Sequence, residues 1–241
     1  MTNKVPTGDR KTYVSFLLDE TGSMQAIKSD TLGGFNAYLG ELRKSPNIVT
    51  SLVTFNSSET KVRWTRKPAP ETQDIVDTDY EPAASTPLID ASFKIIRSTE
   101  TAVAEIGADT LVVVVIQTDG EENVSTEHTR EELAALIKEK QAAGWQFVFL
   151  GANLDAFQAS RGLNVPHANV MSYSGTNSRQ AMMGAASNLR CYSMTGMKAA
   201  LSFTATQRQE AREGIARKSS QPVVTGAPKP TRKSTAEQPK L

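Results

Sequence analysis

Apolar and polar positions alternate along this chain in blocks that change period. Residues 13–18 (YVSFLL) form a continuous apolar, β-rich run that stops on Asp19. Met24, Ile27, Phe35, Leu39 and Leu42 then recur at spacings of three, four and their sums, which is one face of a helix. Gly33 and Gly34 interrupt that face, each costing roughly 1 kcal/mol against alanine. The helix must either bend there or admit another backbone closely. NIVTSLVTFNS and TKVRWT, joined by a short polar link, predict a hairpin. Residues 67–86, rich in Pro, Asp, Thr and Ala, predict irregular structure. Pro87 then opens a helix carrying Ile89, Phe93, Ile96, Val103 and Ile106.

DTLVVVVIQTD is β-branched and apolar on both faces, as in the centre of a parallel sheet. TREE at 129–132 is a capping box that opens a helix with Leu133, Leu136 and Ile137, and Gly144 ends it. WQFVFLGA is the next strand, LDAFQASRG a short helix, and residues 169–173 a weaker strand. Strands alternating with helices predict βαβ units, hence an α/β fold with a mostly parallel sheet covered on both faces and one antiparallel hairpin edge. Beyond Ser174 two further helices are predicted, and residues 218–241 lack the apolar side chains needed to offset their ordering entropy. The expected organisation is one domain over 11–173, accessory helices over 174–217 and a disordered basic tail over 218–241.

Composition narrows the function. The formal charge of the 241 residues is +1, yet Lys218, Lys229, Arg232, Lys233 and Lys240 all lie in the tail. The body is slightly acidic, which argues against a nucleic-acid face. The single cysteine, Cys191, points to a reducing compartment and to a packing role beside Met182, Met183 and Met194. No apolar stretch resembles a secretion signal near residue 1, and LVVVVI is too short to span a bilayer. The expectation is a cytoplasmic protein with no membrane partner. His128 and His167 have no Cys or His at ligand spacing, so no zinc site is indicated.

The chemistry lies where the strands end. Asp19 and Asp119 each close a predicted strand, and in an open α/β sheet ligands bind at the carboxyl ends of the strands. Two acids there repel unless they share a cation or a proton. Thr21 and Ser23 add hard oxygen donors, a set suited to Mg²⁺ or Mn²⁺. Ser23 and Thr86 each precede a helical pattern, so capping is the plainer reading of either alone. Glu121 and Glu122 read as solvated loop acids.

DETGSM, STPL and TDGEEN together resemble the three loops of a metal-ion-dependent adhesion site in the von Willebrand factor A family. Asp19, Thr21 and Ser23 match its Asp-x-Ser/Thr-x-Ser loop, Thr86 its second-loop threonine and Asp119 its third-loop aspartate. The resemblance implies a Rossmann-like, doubly wound sheet over roughly residues 11–173. It implies Mg²⁺, with Mn²⁺ or Ca²⁺ as substitutes, and a protein partner that donates an Asp or Glu to the ion. Residues 67–85 and the loop EENVSTEH flank that edge as specificity surfaces. An intracellular bacterial or bacteriophage scaffold or assembly factor fits this reading.

DETGS also resembles the phosphorylation loop of haloacid dehalogenase-like phosphatases, with Asp19 as nucleophile. That alternative lacks a second acid at Thr21, the expected later acid at Val124 and a convincing lysine. A metal-free structural protein on the same fold is the remaining alternative.

Overall fold

The computed structural model describes residues 10–107 and 109–219, with side chains to 212. In chain order the main elements are β1 (Thr12–Asp19), α1 (Lys28–Leu42), β2 (Ile48–Phe55), β3 (Thr60–Pro68), α2 (Leu88–Ile106), β4 (Leu111–Thr118), α3 (Arg130–Ala142), β5 (Gln146–Ala152), α4 (Ala156–Ala159), β6 (Val170–Tyr173), α5 (Ser178–Thr195) and α6 (Ala205–Ser219). The strands form one sheet in the order β3-β2-β1-β4-β5-β6. All neighbours are parallel except β2 and β3, the predicted hairpin, whose antiparallel pairing shifts register between Thr50 and Val53. This is the mostly parallel α/β sheet covered on both faces that the alternating pattern predicts, and the doubly wound, Rossmann-like architecture that the resemblance implies.

Its core explains the uninterrupted apolar runs. Along β1 and β4 successive side chains point to opposite faces. Val14, Phe16, Leu18, Val113 and Val115 meet α1, α5 and α6 on one face. Leu17, Val112, Val114 and Ile116 meet α2, α3 and α4 on the other. Every residue of both strands is buried. Register then sets the ligand edge: Leu18 lies opposite Gln117, so the two chains leave the sheet level with one another.

The two glycines of α1 differ. A Cβ on Gly34 would lie 2.2 Å from Ser178 Oγ and 3.0 Å from the Ser178 backbone, whereas one on Gly33 would meet nothing within 4 Å. Close approach of α5, rather than a bend, accounts for Gly34. Residues after Ser174 pack back onto the sheet. The Ser174 N–H donates to Ala211 O at 2.9 Å, and Arg208 donates to the carbonyls of Val170 and Ala168, covering the outer edge of β6. Residues 220–241, most of the expected tail, lie outside the described residues.

Two details correct the sequence reading. Cys191 is exposed rather than packed, because the buried face of α5 runs through Ser178, Ala181, Met182, Ala185, Leu189 and Tyr192 at helical spacing, and position 191 falls off it. Met182 is on that face, while Met194 is outside it and exposed. Pro87 stands at the N-cap of α2, one residue before the first helical position.

The glycine pair makes a paired prediction. Gly33→Ala should stabilise the fold by up to about 1 kcal/mol. Gly34→Ala should destabilise it by about 1–3 kcal/mol through overpacking against Ser178. Urea denaturation of both variants checks the opposite signs.

Candidate functional site

The first loop is built from the end of β1. Asp19 is fully buried, with Oδ1 accepting from the Thr21 N–H at 2.7 Å and Oδ2 from the Thr118 hydroxyl at 2.5 Å. The chain then turns through a short 3-10 helix, Gly22–Ile27, which presents Ser23 outward. Ser23 Oγ donates to Asp119 Oδ1 at 2.6 Å and lies 3.3 Å from Thr21 Oγ1.

Thr86 arrives on a segment without regular structure. Tyr80 OH donates to Asp19 O at 2.5 Å, Ala83 N–H to Glu20 O at 3.0 Å, and Gly22 N–H to Ala84 O at 3.0 Å. Asn123 grips Thr86 from the other side: its Oδ1 accepts from the Thr86 N–H at 3.0 Å, and its own N–H donates to Thr86 O at 3.2 Å. The N-cap positions of the 3-10 turn and of α2 are Thr21 and Pro87, and neither makes a side-chain cap bond, so neither Ser23 nor Thr86 acts as an N-cap. Gly120 completes the convergence. A Cβ there would sit 3.1 Å from Thr86 Oγ1 and 3.6 Å from Ser23 Oγ, so glycine leaves the space between the two hydroxyls clear. The structure thus brings Asp19, Thr21, Ser23, Thr86 and Asp119 to one edge.

Electrostatics at this edge is unfavourable for the protein alone. Burial pushes Asp19 up to about 6 against the hydrogen bonds from Thr118 and Thr21, and the charge of Asp119 adds to the rise. Burial also raises Asp119, against the hydrogen bond from Ser23. Among the described residues no basic side chain pairs with either carboxylate. Two partly desolvated carboxylates with three hydroxyl oxygens and no counter-charge fit a hard divalent cation. Among the described residues no group of three or more His, Cys, Asp or Glu could hold a metal, which argues against a softer, nitrogen- or sulfur-rich centre. The histidines are engaged elsewhere, His128 stacked on Phe93 and His167 on Phe157.

Several residues that shape this edge escaped the sequence reading. Glu122, expected to be solvated, is half-buried. It accepts from the N–H groups of Ile89, Val124 and Ser125 and from the Ser125 hydroxyl at 2.6–2.8 Å. It ties the third loop to the first turn of α2, where unpaired N–H groups and the helix dipole favour an anion. Asp90 does the reverse: from that turn it accepts from Thr126, Glu127 and His128 N–H at 2.8–3.2 Å. Burial works against its charge, but these donors and the His128 ring outweigh it and lower its pKa. Tyr80 and Thr118 gave no signal, since their roles depend on contacts 61 and 99 residues away in sequence.

With this geometry in hand, comparison with solved structures places the fold. The vWF domain of the type V pili tip protein Mfa5 from Porphyromonas gingivalis matches with TM-score 0.59 at 11% identity, over 78% of this chain and 98% of that one. Proximal thread matrix protein 1 from the mussel byssus, solved with a zinc-occupied MIDAS motif, matches with TM-score 0.53 at 16% identity, over 73% of this chain and 48% of that one. Manganese-loaded Plasmodium vivax TRAP protein matches with TM-score 0.51 at 14% identity, over 74% and 73%. The chain spans about half the length of the mussel protein it matches. No family model and no curated protein matches it in sequence. The chain has the von Willebrand factor A fold.

The Asp90 clamp gives a pH prediction. Because its folded pKa is lowered, its contribution is fully present above the unfolded value and is lost as pH falls through the folded one. Asp90→Asn should therefore cost about 1–3 kcal/mol near neutrality. Urea titrations from pH 7 toward pH 2 should show the gap between variant and parent closing; a constant gap would contradict the clamp.

Proposed function

We propose that the chain is a metal-dependent protein-interaction module whose ion is held by Asp19, Thr21, Ser23, Thr86 and Asp119 and completed by a carboxylate from a protein partner. The observation that carries this reading is the convergence of a buried carboxylate, a half-buried one and three hydroxyls at one sheet edge, with no basic side chain among the described residues paired to either acid. The zinc and manganese found with two proteins of the same fold support a divalent ion.

Mg²⁺ is the proposed occupant, because an oxygen set with few carboxylates suits a hard cation that keeps positions open to water or a partner. With Asp119 withdrawn from direct contact, Asp19 would offset only one of the two charges of a bound divalent ion, leaving a residual positive charge that attracts an external Asp or Glu. The protein's own part is to hold the donors: Thr118 and the Thr21 N–H fix both oxygens of Asp19, Ser23 orients Asp119, and Asn123 seats Thr86. We place the module in the cytoplasm as a scaffold or assembly factor, a reading supported by the single cysteine.

The phosphatase alternative has a physical obstacle. Phosphoryl transfer of that type needs a second acid beside the nucleophile and a cation to screen the phosphate, whereas Thr21 stands in the place of the second acid and no basic side chain among the described residues pairs with Asp19 or Asp119. We therefore propose a binding function without catalysis.

Calorimetric titration of Mg²⁺ and Mn²⁺ tests the site. Wild type should bind and, at a hundredfold excess over Kd, gain about 2.7 kcal/mol of stability. Asp19→Asn should lose that gain, yet be no less stable than metal-free wild type, since it removes a desolvated charge. Equal binding by both proteins would remove the site. Capture of partners in Mg²⁺ against EDTA tests the interaction, with metal-indifferent capture counting against it.

A further inference from the structure

Glu20 follows Asp19 directly but serves a different part of the fold. Its side chain is 1% exposed. Both carboxylate oxygens lie 3.0 Å from Arg63 Nη2 on β3, and Oε1 also accepts from the Glu81 N–H at 2.7 Å. Arg63 is itself fixed, its Nε donating to Thr54 Oγ1 at 3.1 Å. The Glu20 backbone continues the theme: its N–H donates to Phe55 O at 2.9 Å, and its carbonyl accepts from Ala83 N–H at 3.0 Å.

We propose that Glu20, neutralised by Arg63, is a positioning residue that pins the segment bearing Thr86 against the loop bearing Asp19, Thr21 and Ser23. The proposal rests on the metal reading above and goes beyond it in assigning what sets the spacing of the donors. Residues 80–86 have no helix or strand to place them. Their position comes from contacts with the first loop, and the Glu20 carboxylate makes the one at Glu81. Ala84 shows how firmly the segment is held. It adopts φ +62°, a left-handed conformation that alanine avoids unless its surroundings impose it, and its carbonyl accepts from Gly22 N–H. Arg63 is needed because a carboxylate this buried is costly without a paired charge. The same pairing turns Glu20 away from the ion, so the site keeps two carboxylates rather than three.

The consequence is ionic selectivity. Mg²⁺ demands a small, nearly ideal shell, whereas Ca²⁺ accepts a looser one. Loosening Thr86 should therefore penalise Mg²⁺ more. Glu20→Ala should speed amide exchange at Ala83 and Gly22 in the metal-free protein, relative to β4. It should weaken Mg²⁺ about 10- to 100-fold, as loss of residues that orient ligands does, and Ca²⁺ less. In a Thr86→Ala background the same change should have no further effect on Mg²⁺. Glu20→Gln, which keeps an acceptor for Glu81 and guards against misfolding of the alanine variant, should fall between.

Two results separate the failures. Wild type that binds no ion overturns the metal reading and this proposal with it. Intact Mg²⁺ binding by wild type, with exchange at Ala83 and Gly22 unchanged in both variants, overturns the role of Glu20 alone. Effects of Glu20→Ala and Thr86→Ala that add on Mg²⁺ affinity also overturn it.

Discussion

Asp19 and Asp119 reach the same edge because β1 and β4 are paired in parallel and end level. Both carboxylates lose water there, and the sheet brings no basic group to compensate them. What remains is a set of neutral donors: Thr118, the Thr21 N–H and Ser23. Hydrogen bonds of this kind stabilise the charged forms, but here burial outweighs them and both pKa values stay raised. The edge is thus organised for a positive charge that none of the described residues supplies there. This imbalance is what a partner or ion would act on.

Around it lie two frameworks of differing rigidity. The strands are fixed by the core on both faces. The loops are fixed by reciprocal polar contacts: Glu122 and Asp90 lock the third loop to α2, while Tyr80, Ala83 and Ala84 lock the second to the first. Such contacts are local and electrostatic, so the loops can open at lower cost than the sheet. Residues 57–59, 81–84 and 121–126 are largely exposed around the same edge, which makes them the surface a partner would meet.

Much of this was readable from residue order. Strands buried on both faces leave unbroken apolar runs, and β1 and β4 showed them. The capping box at Thr129 is formed as its motif specifies. The five candidate site residues could be named because each follows a strand or precedes a helix at a fixed offset. Other features could not be read that way. Gly34 is explained by Ser178, far along the chain. Glu20 and Glu122 look like ordinary surface acids until Arg63 and the first turn of α2 are brought to them. Cys191 shares a helix with Met182, Met183 and Met194, which suggests packing, yet one position of helical phase puts it outside. Local pattern reports which element a residue occupies. The partners of a buried charge come from the fold.

The most direct test is crystallographic: soak crystals of the protein in Mn²⁺ and locate the anomalous scattering. The account predicts a peak within bonding distance of Ser23 and Thr86, beside Asp19 and Asp119. No peak at that edge, or a peak held by other residues, would contradict it.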